Sequence, residues 1–186
     1  LLDPNCRTKV FELDVPITQN AKINQQKKRK VKINSNIIFI PIDFNKESIK
    51  NKLIQSGFEK NKKSLFILEG LLMYLSPEAV DSTFKIISEF AGLESEIVFD
   101  YIYSSVLRRE NIYYGEKDII DFVIKAGEGW TFGIEKGEVE IFLKKYNLKL
   151  IEDANAEYLE SKYFEDENQK IIGKINGTHC IAYAKR

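Results

Sequence analysis

The stretch Leu65-Phe66-Ile67-Leu68-Glu69-Gly70-Leu71-Leu72-Met73-Tyr74-Leu75-Ser76-Pro77-Glu78 decides the fold. Four apolar residues run into Glu69-Gly70, and a helix start follows at once. An apolar run of this length bounded by glycine reads as a core strand. Ser76 is a good N-cap, Pro77 suits the first helical position, and Glu78 sits where the helix dipole favours an anion. Glu69 therefore stands at the carboxyl end of an interior strand, the edge where open α/β sheets bind ligands. The plain alternative is a glutamate facing water from a loop, since glutamate is almost never fully buried unless paired.

Working outward, Lys9 to Asp14 reads as a short strand stopped by Pro16, and Thr18 to about Lys32 as a polar surface helix. Asn36 to Asp43 is a second apolar strand, with Pro41 near its end. Glu47 to Gln55 is a helix that Gly57 stops. After the strand Ser64 to Glu69, a helix from Pro77 to Ala91 carries Val80, Phe84, Ile87 and Ala91 on one stripe. Glu96 to Ile102 is the fourth strand. Strands alternating with helices predict a parallel sheet with helices on both faces. The four strands are expected as parallel neighbours in one sheet. Further on, Lys117 to Ala126, Lys136 to Tyr146 and Ala156 to Phe164 read as helices, and Lys149 to Ile151 as a short strand. Ile171 to Ile175 and His179 to Ala184 flank Asn176-Gly177, a hairpin signal, so an antiparallel closing pair is predicted. No repeat, linker or low-complexity segment marks a boundary, and residues 1–186 read as one domain.

The chain has 186 residues, with 28 Lys plus Arg against 28 Asp plus Glu. Zero net charge leaves no long-range field to recruit nucleic acid or an anionic membrane. Lys27-Lys28-Arg29-Lys30 is the one basic cluster and reads as a solvated helix face. No apolar stretch is long enough for a membrane span and no secretory signal is seen, so a cytoplasmic location is expected. Asn176-Gly177-Thr178 then matches a glycosylation acceptor only by chance. Cys6 and Cys180, the two cysteines, do not make a disulfide framework. One histidine, His179, leaves too few soft ligands for zinc and no Ser-His-Asp triad. It lies in an apolar strand and reads as a packed structural residue.

The predicted strands end alike, in Asp14, Asp43, Glu69 and Asp100. A row of acids suits a ligand offering hydroxyls, amines and positive charge rather than phosphates. A ribose diol can donate to Asp14, as in nucleotide-binding folds. An adenine amino group can donate to Asp43, and Glu69 can stabilise an ammonium or sulfonium. S-adenosylmethionine has all of these groups. A dinucleotide would need a glycine-rich loop, and no G-x-G-x-x-G is present. The alternative is that acids simply prefer the helix N-termini that follow strands.

Here a resemblance becomes specific. Val10-Phe11-Glu12-Leu13-Asp14-Val15-Pro16, Ile40-Pro41-Ile42-Asp43-Phe44, Glu69-Gly70-Leu71-Leu72-Met73-Tyr74-Leu75 and Val98-Phe99-Asp100-Tyr101 resemble the leucine carboxyl methyltransferase family in order and spacing. Gly57-Phe58 and Trp130-Thr131-Phe132-Gly133-Ile134 match as well. The similarity covers nearly the whole chain, and the Glu-Gly-Leu-x-x-Tyr-Leu block is its most specific part. The resemblance implies a Rossmann-like methyltransferase fold that binds S-adenosylmethionine. It gives Asp14 the ribose role with Glu12 beside it, Asp43 and Phe44 the adenine end, and Glu69 the methionine or sulfonium end. The family pattern also has an N-terminal helical region and a first strand leading into a Gly-x-Gly turn. This chain starts just before the second strand, so the domain is expected to lack its N-terminal portion.

The function so implied is S-adenosylmethionine-dependent O-methyl transfer, with a carboxylate of a protein C-terminus or small molecule as acceptor. A carboxylate acceptor is already a nucleophile, whereas a hydroxyl needs a base. Tyr74 is the weak candidate for a residue facing the acceptor, with a core aromatic as the alternative. Arg108 and Arg109 are positioned to pair with an acceptor carboxylate or to be surface charges. The rival readings are a Rossmann-type nucleotide-binding module and a catalytically inactive methyltransferase-like interaction domain.

Overall fold

The computed structural model describes residues 8–186. Cys6 lies outside the described residues; Cys180 is buried and its thiol is free. The chain divides into two compact units, one ending at Glu59 and the other running from Lys60 to Arg186.

In the first unit, β1 (Val10–Asp14) lies parallel to β2 (Ile37–Pro41), in register from Val10 opposite Ile37 to Asp14 opposite Pro41. Parallel neighbours need a crossover, and α1 (Pro16–Lys28) supplies it. Pro16 both ends β1 and opens α1 at its first position, where its missing N–H costs nothing. Helix α1 starts earlier than its polar composition implies and buries one side chain, Gln19. That amide is used, because Gln19 Nε2 donates to the Glu12 carbonyl at 3.0 Å. Helix α2 (Ile49–Gln55) is capped by Ser48, whose hydroxyl accepts the Asn51 N–H. It buries Ile49 and Leu53, and it ends before Gly57, at φ +80°. Ile40 and Ile42 are buried, and Phe11 meets Phe58 edge to face at 5.2 Å.

The second unit is built on a four-stranded sheet. Its strands are β3 (Leu65–Leu68), β4 (Glu96–Ile102), β5 (Lys149–Ala154) and β6 (His179–Lys185), in spatial order β3-β4-β6-β5. Strands β3 and β4 are parallel, joined through α3 (Pro77–Phe90); β6 runs antiparallel to both β4 and β5. Ser76 caps α3 by accepting the Ala79 N–H, and Val80, Phe84 and Ile87 are buried as the stripe predicts. Phe84 is fully buried and meets Phe99 at 5.2 Å and Phe142 at 4.8 Å, both edge to face. The remaining helices are α4 (Ser104–Leu107), α5 (Glu116–Lys125), α6 (Val139–Lys144) and α7 (Ala156–Tyr163). None of the helices is long and apolar enough to cross a membrane, among the described residues.

Three expectations are corrected. The four early strands form two parallel pairs in two sheets, not one ladder. Each strand pattern is local, whereas sheet membership depends on which edges find partners, and no strand among the described residues bonds β1 to β3. The hairpin at Asn176-Gly177 does not form. Ile171 makes only a bridge to Glu165, and β6 pairs with β4 and β5 instead. The turn signal is overridden because Asn176 is spent elsewhere: its Nδ2 donates to the Gly115 carbonyl, and its Oδ1 accepts the Thr178 N–H. Finally, Tyr74 lies in a short 3-10 turn (Leu72–Tyr74) ahead of α3, not at the start of that helix.

Candidate functional site

Four of the expected site residues lie in the first unit. Glu12 is half-buried on β1 and ion-paired to Lys22 of α1 at 3.0 Å. Asp14 ends β1, and its Oδ1 accepts the N–H of Val15, the N-cap of α1, at 2.7 Å. Its Oδ2 has no partner among the described residues, so a ligand hydroxyl has an acceptor there. The backbone holds the adjacent strand end close, as Ile42 N–H donates to the Asp14 carbonyl at 2.9 Å. Asp43 follows one residue later, but both its oxygens are occupied. Oδ1 accepts the Asn45 N–H at 3.1 Å and Oδ2 meets Lys46 at 2.9 Å. The Lys46 ammonium holds the Asp43 carboxyl below its ordinary range. Phe44 beside it is partly exposed.

Glu69 lies in the second unit at the carboxyl end of β3, where its side chain is exposed. Leu68 pairs with Phe99, so Glu69 reaches the level of Asp100 on β4. Gly70 adopts φ +57°, and its N–H donates to Asp100 Oδ1 at 2.8 Å. Burial pushes the Asp100 carboxyl up and the Gly70 N–H pulls it back, while the charges of His179 and Glu69 act on it in opposite directions, His179 lowering it and Glu69 raising it. Asp100 thus joins Glu69, which sequence had placed in the same row of acids, to His179, which it had not.

His179 begins β6 opposite Ile102, diagonally across the ladder from Asp100. Its Nδ1 lies 2.7 Å from the Thr178 hydroxyl. Burial lowers its basicity, and Asp100 partly restores it. Its ring meets Trp130 edge to face at 5.4 Å, and Trp130 meets Tyr74 in the same manner at 6.5 Å. The loop carrying Trp130 is tied to the 3-10 turn, since Thr131 N–H donates to the Met73 carbonyl at 2.7 Å and Thr131 Oγ1 to the Leu75 carbonyl at 2.8 Å. The Trp130 Nε1–H is buried and has no hydrogen-bond partner among the described residues. A buried donor without a partner costs about 1–3 kcal/mol, so this N–H is poised for an acceptor atom. Tyr74 is therefore not a core aromatic: it is exposed and meets the loop's tryptophan edge to face.

Arg108 is not free for an acceptor carboxylate. It bonds Glu110 and Glu135, both of which raise its basicity. A separate cleft of about 240 Å³ is lined by Tyr103, Tyr113, Lys136, Glu157, Glu160 and Lys174, none of them expected from sequence. No group of metal-ligating side chains occurs among the described residues.

With this geometry in place, the comparisons are specific. The family model "Leucine carboxyl methyltransferase" matches residues 1–88. YktD of Bacillus subtilis (strain 168), whose name provisionally makes it an S-adenosyl-L-methionine-dependent methyltransferase, is 26% identical over 174 residues. That match takes in 92% of this chain and 57% of YktD. An O-methyltransferase family protein from Burkholderia thailandensis superposes with a TM-score of 0.58 at 9% identity, covering 97% of this chain and 44% of that one. LepI, solved in complex with SAM, superposes with a TM-score of 0.52 at 14% identity, covering 98% of this chain and 38% of LepI. The chain has the Rossmann-like methyltransferase fold, and it spans little more than half the length of YktD and less of these structures.

Proposed function

We propose that the protein to which this chain belongs is an S-adenosylmethionine-dependent O-methyltransferase. The observation that carries the reading is the acid that ends β1: among the described residues, Asp14 keeps an oxygen without a partner at a strand's carboxyl edge. A phosphate-bearing ligand would be repelled there, whereas a ribose diol would be held. The donor chemistry of the other expected residues fits the same cofactor. Glu69 is an exposed carboxylate suited to an ammonium or sulfonium, and Asp43 would take an adenine amino group by giving up Lys46. Glu12, tied to Lys22, and Phe44 complete the adenosine side. The match of the family model to residues 1–88 supports this reading, because that span contains all five residues.

When bound, the cofactor supplies an electrophilic methyl on a sulfonium. The protein's own task is to hold the acceptor oxygen in line with that carbon, so positioning accounts for much of the rate. A carboxylate acceptor, as the family resemblance implies, attacks unaided; a hydroxyl requires a base. Calorimetric titration of the intact protein with S-adenosylmethionine and with NAD tests the reading. Binding of the first alone is expected, and Asp14→Ala should weaken it by about 1–3 kcal/mol, the cost of unpaired donors. Tight NAD binding would replace this reading with a dinucleotide module. Cofactor binding with no methyl transfer to a cell extract would point to an inactive interaction domain.

A further inference from the structure

We propose that His179 is a general base facing the methyl acceptor, and that the acceptor is therefore a hydroxyl-bearing molecule, phenol-like in its fit, rather than a carboxylate. This rests on the methyltransferase reading above and adds the acceptor side to it.

The argument begins two residues upstream. Asn176 Nδ2 donates to the Gly115 carbonyl at 3.0 Å, a group that only accepts. Asn176 Oδ1 accepts the Thr178 N–H at 3.0 Å, a group that only donates. Both contacts fix the amide the same way round. The Thr178 hydroxyl lies 2.5 Å from that Oδ1, so its single proton must point there. Thr178 is fully buried, which keeps water from competing. The hydroxyl can then serve His179 Nδ1 only as an acceptor, at 2.7 Å. Nδ1 must carry the proton, and the neutral ring keeps its lone pair on Nε2. A chain of four polar groups thus selects one tautomer of the only histidine in the sequence.

The surroundings suit a base. Burial keeps the ring neutral near pH 7, and Asp100 on β4 is the titratable group whose charge reaches it; the Trp130 side chain, against its ring, does not titrate. In the step proposed, the acceptor O–H bond breaks, its electron pair stays on oxygen, and the proton passes to Nε2. The resulting imidazolium is stabilised by the Asp100 carboxylate. The same charges argue against a carboxylate acceptor: Asp100 and Glu69 are acids, and Arg108 is already paired with two glutamates. The Trp130 N–H without a partner can donate to the acceptor oxygen, and the Tyr74 and Trp130 rings supply an aromatic wall.

Long-range proton–nitrogen NMR of the ¹⁵N-labelled intact protein, with the His179 signals assigned by their loss in His179→Gln, reads its tautomer directly. At pH 7 we expect a protonated Nδ1 and a bare Nε2. Thr178→Val should mix the tautomers, and Thr178→Ser should restore one. Titration with phenol should move the Nε2 signal, and titration with benzoate should not. A wild-type ring protonated on Nε2, or an Nε2 signal unmoved by phenol, overturns the proposal. In transfer assays with labelled S-adenosylmethionine, His179→Gln should lower methylation of phenol by about 10²-fold or more, within the usual range for a general base. Equal rates for the variant and wild type also overturn it. Calorimetry with S-adenosylmethionine separates the two readings. No binding, with the expected tautomer, removes the methyltransferase; binding, with Nε2 protonated, removes the base.

Discussion

Single residues of this chain hold charge in two different ways. Glu116 is nearly fully buried, yet its carboxylate accepts three backbone N–H groups, from Asn111, Ile112 and Tyr113, at 2.8, 2.8 and 3.1 Å. Those amides pin a loop in which Asn111 takes φ +52° and Gly115 φ +73°. Glu116→Ala should destabilise the fold by about 1.5–3 kcal/mol or more, the range for hydrogen bonds to a charged group. Urea unfolding at neutral pH measures it, and an unchanged midpoint would show that the loop satisfies itself with water. His179 works differently, through proton linkage. Its folded-state pKa lies below the ordinary 6.5, so the native state binds the proton less readily than the unfolded chain. The neutral ring's contribution is full above about pH 6.5 and is lost as pH falls through the folded value. Stability of the wild type should therefore drop more between pH 7 and 5 than that of His179→Gln. Asp100, raised in the fold, has the opposite sign, and because the His179 charge lowers it, the His179→Gln chain gains more from it as pH falls, which widens the difference in the same direction.

Elements show which parts of the fold could be read from sequence. The start of α3 was legible because its signals are local: Ser76 caps, Pro77 opens and the Val80, Phe84, Ile87 stripe buries. Phe84→Ala should cost about 3–5 kcal/mol, as for other fully buried aromatics, because Phe99 and Phe142 close on it. Differential scanning calorimetry would show the loss, and a small shift would mean that the site collapses. The loop carrying Trp130 was less legible. It has no periodicity, and its place is set by Ile134 N–H on the Ile102 carbonyl at 2.9 Å and Ser104 N–H on the Ile134 carbonyl at 3.0 Å. Gly133 sits inside that crossing, where a Cβ would meet the Ile102 carbonyl oxygen and the Ser104 nitrogen at 3.0 Å. Gly133→Ala should cost about 1–3 kcal/mol by overpacking. It should also disturb the Trp130 fluorescence, which is unambiguous in a chain with one tryptophan. The misread hairpin has the converse cause: Asn176-Gly177 carries a true local turn signal, but Asn176 is worth more as the clamp between Gly115 and Thr178. Sheet membership and the His179 cluster were illegible for the same reason. They depend on residues such as Asp100, Trp130 and Thr178, distant in sequence, and no local pattern records that they meet.

Over the 186 residues of this chain the charge is balanced, so they offer a cationic cofactor little long-range attraction. Its recognition must come from individual acids, and Glu69, exposed and close to Asp100, is the one to test. Ligand binding to the folded state alone stabilises it by about 2.7 kcal/mol at a hundred times Kd. For a chain of this size that corresponds to a rise in Tm of about 5–10 °C. Wild type is expected to show this with S-adenosylmethionine and none of it with NAD. Glu69→Gln keeps the shape and removes the charge, so the shift with S-adenosylmethionine should shrink. The product S-adenosylhomocysteine then reports which charge Glu69 meets, because it keeps the ammonium and loses the sulfonium. Equal loss for both ligands assigns the contact to the ammonium. Loss for S-adenosylmethionine alone assigns it to the sulfonium. Undiminished shifts for both in Glu69→Gln would remove Glu69 from the cofactor site and leave recognition to Asp14 and its neighbours on β1 and β2.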